Sequence, residues 1–202
     1  MSATGRNLAD RKRHTDDYYS TPQWCVDAVL SHADFSELPL WALDPGCGDG
    51  SIGSAALAHG IKCIGVEKDL ERSIEAYNNP AYISVFGDDY LRLEGFTSQA
   101  PLVIGNPPYR LAQEFVRKGL DDAEAGGHVL FLLRLNFLAG QKRWKEGLWE
   151  ALDRVYVLPK RPSFRWGKTD ASDYCWMRWT KGSQEPCILT HLPFPNEKEK
   201  GR

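Results

Sequence analysis

Leu40-Trp41-Ala42-Leu43-Asp44-Pro45-Gly46-Cys47-Gly48-Asp49-Gly50-Ser51 is the stretch on which the fold turns. Its first four residues form an apolar run that predicts a short buried strand. The run leads directly into glycines at alternate positions. These let the backbone turn tightly and let a ligand approach the main chain and a helix N-terminus. A helix is predicted from Ile52 to His59, stopped by Gly60. Strand, glycine-rich turn and helix, in that order, are the context that gives such a loop meaning. The spacing is not the Gly-x-Gly-x-x-Gly of dinucleotide folds, and no Gly-Lys-Ser/Thr closes it as in a P-loop.

Downstream, Ile61 to Glu67 predicts a second strand that ends in an acid. A carboxylate at that point can accept both hydroxyls of a ribose. A helix over Leu70 to Tyr77 and a third strand over Tyr82 to Phe86 follow, then Gly87-Asp88-Asp89. An Asp just past a strand can accept a proton from an adenine amino group. Leu102-Val103-Ile104 predicts the fourth strand, and Gly105-Asn106-Pro107-Pro108-Tyr109 follows it. The two prolines fix their own φ, lack N–H donors and hold the residues before them extended. The result is a stiff platform at a strand's C-terminal end. It presents one amide side chain, backbone carbonyls and one flat ring, a set suited to gripping a planar group that carries an NH2. In isolation the same tetrapeptide also suits a proline-rich turn with a structural tyrosine.

Helix 111–120, a Gly126-Gly127 break and a strongly apolar strand from His128 to Leu133 come next. Strands are further predicted at Arg154 to Leu158 and Tyr174 to Thr180. Strands alternating with helices predict a parallel, doubly wound sheet. The last two, joined only by a loop, predict an antiparallel edge. Upstream, Thr21 is placed to cap a helix beginning at Pro22, with Trp24, Val26, Val29 and Leu30 as its apolar face.

Composition bounds the rest. The chain has 202 residues, 42% hydrophobic and 26% charged, enough for one domain with a sizeable core. We expect a flexible basic arm over 1–17 carrying Arg11-Lys12-Arg13, a single domain over 18–190 and a charged tail over 191–202. The net charge of −2 gives no global sign of a nucleic-acid binder, so such a surface must be local. From Arg134 to Lys145 there are four basic residues (Arg134, Lys142, Arg143, Lys145) and no acid. From Lys160 to Lys181 there are six (Lys160, Arg161, Arg165, Lys168, Arg178, Lys181) against two acids. The five cysteines include no Cys-x-x-Cys pair, so neither a metal site nor a disulfide framework is expected, and a cytoplasmic setting is. No leader or membrane span is expected.

On these motifs the chain resembles the class I S-adenosylmethionine (SAM)-dependent methyltransferases. Within them it is most similar to N(6)-adenine DNA methyltransferases whose SAM motifs precede the catalytic motif. The resemblance runs from about Tyr19 to Thr180. It implies a Rossmann-like, seven-stranded, mostly parallel sheet with an antiparallel edge strand. It places SAM on the loop Asp44, Pro45, Gly46, Cys47 and Gly48, with Glu67 at the ribose and its neighbour Lys68 also expected to contact the cofactor. Asp88, followed by Asp89, meets the cofactor's adenine, Tyr19, Thr21 and Pro22 lie near its methionine end, and Asn106 is also expected to contact the cofactor. Asn106, Pro107, Pro108 and Tyr109 match the catalytic motif, and Phe164 falls where the family keeps an aromatic beside the target base. The expected substrate contacts are Tyr109, Arg134, Lys142, Arg143, Lys160, Arg161, Phe164 and Trp166, and the expected partner is nucleic acid, DNA before RNA. In one respect the chain departs from the larger members: about twenty residues follow the seventh strand, where they carry a separate recognition domain. Recognition is therefore expected from loops, from the N-terminal arm or from a second subunit.

Rival chemistries draw on the same residues. Carbon-5 methylation of cytosine needs a Pro-Cys after the SAM motifs, and the one such pair, Pro186-Cys187, lies at the far end. Glutamine methylation in release factors uses the same tetrapeptide, but on enzymes with a helical domain ahead of the SAM loop. RNA adenine methylation remains compatible with every motif. A non-catalytic nucleic-acid-binding module is disfavoured because every motif residue is present.

Overall fold

The computed structural model of the chain describes residues 20–164 and 171–194. The arm expected over 1–17, Tyr19, Arg165, Trp166, Lys168 and the end of the tail lie outside these residues.

Among the described residues eight strands form one sheet: β1 (Trp41–Pro45), β2 (Lys62–Val66), β3 (Tyr82–Phe86), β4 (Ala100–Gly105), β5 (Ala123–Arg134), β6 (Leu152–Val157), β7 (Tyr174–Thr180) and β8 (Ile188–His191). Their order is β3-β2-β1-β4-β5-β7-β6-β8. β1 pairs in parallel with β2 and β4, β2 with β3, and β4 with β5. The expected α/β class and mostly parallel sheet are therefore present. The antiparallel strand is β7, which lies between β5 and β6, and the short β8 adds outside β6 in parallel. This is one strand more than expected.

Helices α1 (Gln23–Leu30), α2 (Ser51–Leu57), α3 (Leu70–Tyr77) and α4 (Ala112–Asp122) cover the faces, and the short α5 (Gln141–Lys145) buries no residue. The central strands β1, β4 and β7 are buried on both sides because both sides are covered. On β4, Leu102 and Ile104 face the core shared with α1 and α2, while Val103 faces the core shared with α4. β7 is buried on both faces as well. Its Trp176 donates to Cys25 O at 2.8 Å and its Trp179 to Leu148 O at 2.8 Å, so neither indole is buried at the cost of its N–H. Arg178 on the same strand is buried against Asp153, with contacts of 3.2 and 2.5 Å.

The chain runs outward from β1 to β2 and β3, then crosses back to place β4 on the other side of β1. That reversal opens a crevice beyond the C-terminal ends of β1 and β4, where open α/β sheets bind ligands. The glycine-rich loop leaves β1 there, and Asn106-Pro107-Pro108-Tyr109 leaves β4 there.

Candidate active site

The loop after β1 is held by main-chain bonds before any ligand is considered. Gly46 N and Cys47 N both donate to Val66 O, at 2.7 and 3.1 Å. Gly46 and Gly48 have φ of 69° and 56°, conformations in which a side chain would be strained. Gly48 N donates to Glu67 Oε2 at 3.0 Å, and Asp69 N donates to Glu67 Oε1 at 2.9 Å. Glu67 is only 6% exposed, yet it lies on the cleft wall, its carboxylate aimed by two backbone donors. Each oxygen keeps further acceptor capacity for a ligand hydroxyl.

Of the residues expected to hold a cofactor, the cleft gathers Thr21, Gly46, Cys47, Glu67, Lys68, Asp88, Asp89 and Asn106. Pro108 of the tetrapeptide lines it too. Pro22, Pro45 and Gly48 are not on its wall, nor is Asp44. The Asp44 side chain is fully buried beneath the loop. Its Oδ2 accepts from Tyr82 Oη at 2.6 Å, and Tyr82 Oη accepts from Gly53 N at 3.2 Å. Its Oδ1 is buried and has no hydrogen-bond partner among the described residues. Burial pushes the Asp44 carboxyl up to about 7; the Tyr82 hydroxyl draws it down, and the charges of Glu67 and Asp49 add to the rise. Asp44 thus acts on the loop from below. The space for the tyrosine comes from glycine: a Cβ at Gly53 would collide with the Tyr82 ring.

Thr21 departs from its expected role. Pro22 stands at the N-cap of α1, and no side chain caps that helix. Thr21 N donates instead to Ser51 Oγ at 3.1 Å, and Thr21 Oγ1 accepts from Asn106 Nδ2 at 3.1 Å. The residue therefore ties the start of α2 to the platform after β4. A capping reading sees only neighbours in sequence, and this bond spans 85 positions.

Beyond Asn106 the chain makes a 3-10 turn over Tyr109–Leu111. The Arg134 guanidinium lies 4.7 Å from the centre of the Tyr109 ring, and Arg134 Nε donates to Tyr174 Oη at 3.3 Å. Tyr174 is tilted against Tyr109 at 5.7 Å and meets Phe164 edge-on at 5.1 Å. Phe164 is thereby linked to Tyr109 through a buried tyrosine whose sequence signal is only that of a strand residue. Arg161 pairs with Asp173 at 2.7 Å, and Lys160 lies over the Trp24 ring at 5.0 Å. Lys142 is exposed on α5.

The cleft also includes Ser51, Ile52, Val66, Arg72, Tyr90, Arg110, Leu111 and Phe115, which the motifs did not single out. Ser51 and Ile52 open the helix after the glycine loop and were findable by position. Phe115 and Tyr90 carry no local signal; they pack on each other at 5.2 Å across the fold. Burial pushes the thiols of Cys25, Cys47, Cys63 and Cys175 up, which keeps them from acting as thiolates. Among the described residues no group of three or more His, Cys, Asp or Glu is placed to hold a metal ion, and no helix is long and apolar enough to cross a membrane.

No protein-family model matches the chain, and comparison with curated proteins finds no match. Solved structures do match. A protein assigned as an O-methyltransferase from Agrobacterium tumefaciens aligns at 16% identity over 84% of this chain and 85% of its own, with a TM-score of 0.62. A modification subunit assigned to a type I restriction enzyme from Vibrio vulnificus aligns at 15% identity and TM-score 0.69, over 94% of this chain and 50% of its own. The chain thus spans half the length of that subunit. An RNA methyltransferase from Salinibacter ruber, solved with S-adenosylhomocysteine, aligns at 24% identity and TM-score 0.54, over 82% of this chain and 95% of its own. The fold is that of the SAM-dependent methyltransferases.

Proposed function

We propose that the chain transfers a methyl group from SAM to the exocyclic amino group of adenine in DNA. The observation that carries this reading is the Asn106 amide. It stands on the wall of the same cleft as the glycine loop and Glu67, and Thr21 Oγ1 holds its Nδ2.

The cleft suits SAM by its donor set. Glu67 is pre-aimed for a ribose diol. Val66, Leu111 and Phe115 offer apolar walls for a flat ring, with Asp88 at the rim to accept from an adenine amino group. Thr21 and Ser51 lie beside the platform, where the amino-acid end would rest. Bound there, SAM supplies an electrophilic methyl group on a sulfonium centre.

The adenine amino nitrogen is a poor nucleophile because its lone pair is delocalised into the ring. With Nδ2 committed to Thr21, Oδ1 is the atom of the Asn106 amide that accepts one amino hydrogen, and the Pro107 carbonyl accepts the other. Both bonds draw the nitrogen toward sp³ geometry. Tyr109 stacks on the base, braced by Arg134 and Tyr174. Positioning and electrostatics carry the rate, and no strong base is needed before the nitrogen becomes cationic. A base in duplex DNA must be flipped out to reach the platform.

The test is transfer of labelled methyl from SAM to single-stranded DNA, duplex DNA, RNA and protein, followed by nucleoside analysis. N(6)-methyladenine in DNA is the expected product. The same nucleoside in RNA alone would move the reading to RNA, and label in a glutamine would replace it. Asn106→Ala should lower the single-turnover rate by orders of magnitude, as loss of a transition-state hydrogen-bonding group does elsewhere, while SAM still binds. A variant with near-wild-type turnover would refute the mechanism.

A further inference from the structure

A second cavity opens on the α4 side of Tyr109. Its wall is formed by Tyr109, Arg134, Asn136, Phe137 and Arg143 over a floor of Ala112 and Leu133. Two guanidinium groups face this space, and none of the described residues that line it carries a carboxylate. Glu146, at the end of α5, is bonded instead to Arg117 and Gln113.

Both arginines are held in place. Arg134 lies over the Tyr109 ring and donates to Tyr174. Arg143 lies over the Phe137 ring at 4.6 Å and donates through Nη2 to Ala139 O. Arg143 Nε is buried and has no hydrogen-bond partner among the described residues. A buried charged donor without an acceptor is costly, and two like charges on one small cavity add to that cost. A single oxyanion between them relieves both. Planar guanidinium forks match a phosphate group in particular, and fixing them beforehand reduces the entropy lost on binding.

Tyr109 ends the platform that begins at Asn106, and it also lines this cavity. A base stacked on the Tyr109 ring brings its own backbone with it. The part of a nucleotide strand that paired guanidinium groups select is the phosphodiester. We infer that this cavity seats a phosphodiester of the target strand, next to the nucleotide whose base reaches Asn106, held by Arg134 and Arg143. The inference rests on nucleic acid being the substrate.

The experiment uses a labelled adenine-containing oligonucleotide of the type that the wild type methylates. Each phosphodiester in turn is replaced by a neutral methylphosphonate. Wild type should lose affinity roughly tenfold, the scale of one charge-assisted contact, at one or two positions beside the methylated adenine. Arg143→Gln should bind the unmodified strand about tenfold more weakly and show no further loss at that position. Its salt dependence should be shallower by about one contact. SAM affinity, unchanged in the variant, reports that the fold is intact, and Arg143→Lys, which keeps charge without the fork, should fall between the two. If Arg143→Gln methylates and binds like wild type, or responds to every methylphosphonate as wild type does, the phosphate site is overturned and the substrate reading stands. If wild type methylates no nucleic acid, the substrate reading falls and takes this site with it.

Discussion

Replacing Asp44 with asparagine tests whether this acid supports the loop from below. In the folded chain burial pushes its carboxyl up to about 7, from an ordinary value of 3.8. A carboxyl whose folded value is raised binds its proton more tightly in the folded state. Its contribution to stability is then complete below the unfolded value and is lost as pH rises through the folded one. Each pH unit between the two values is worth about 1.4 kcal/mol. Between pH 5 and pH 8, wild type should therefore lose about 2–3 kcal/mol from this one group. The substituted asparagine carries no titrating proton, and its amide oxygen can still accept from Tyr82. The assay is urea denaturation of both proteins without SAM at pH 5, 6, 7 and 8. The difference in unfolding free energy between wild type and Asp44→Asn should shrink by that amount, or reverse, and most of the change should fall below pH 7. Parallel stability curves would refute the reasoning: the acid would then be solvated or paired in solution, and a direct contact with a ligand would again be open to it.

The other expectations concern single contacts. Glu67→Ala should weaken SAM binding in calorimetry by about 1.5–3 kcal/mol, the scale of hydrogen bonds to a charged group; unchanged affinity in a folded variant would sink the ribose assignment. Gly53→Ala forces a methyl onto the buried Tyr82 ring and should cost about 1–3 kcal/mol in chemical denaturation, the range for overpacked cores. A variant as stable as wild type would mean that Tyr82 is not fixed there. Thr21→Val keeps the shape and removes the bond to Asn106, so the single-turnover rate should fall about fivefold to tenfold, corresponding to roughly 1 kcal/mol. Thr21→Ser should restore the rate, and equal rates for all three proteins would show that the Thr21–Asn106 bond does not position the amide.

The first half of the sheet was readable from short windows of sequence because its signals are local. An apolar run of four residues, glycines that can turn and a helix-forming run define β1, the loop and α2 with no knowledge of the rest. The same holds for Glu67 at the end of β2 and for the rigid platform after β4, where proline restricts the backbone on its own. β8 carried no such signal: it is four residues long, mostly exposed, and defined by its register with β6.

The direction of each motif side chain, by contrast, is a property of what lies across the fold. Asp44 looks like a ligand contact when read along the chain, and it turns inward because Tyr82, 38 positions away, offers a hydroxyl beneath the loop. Thr21 looks like a helix cap until Asn106 is brought beside it by the crossing from β3 back to β4. The second cavity exists because the ends of β4 and β5 set the Tyr109 ring beside Arg134, with Phe137 and Arg143 beyond. Backbone preference acts over a few residues, so sequence alone determined which segments form and where the chain must turn. Hydrogen bonding and burial act across space, so only the tertiary structure decided which of those residues face the cleft and which hold it up.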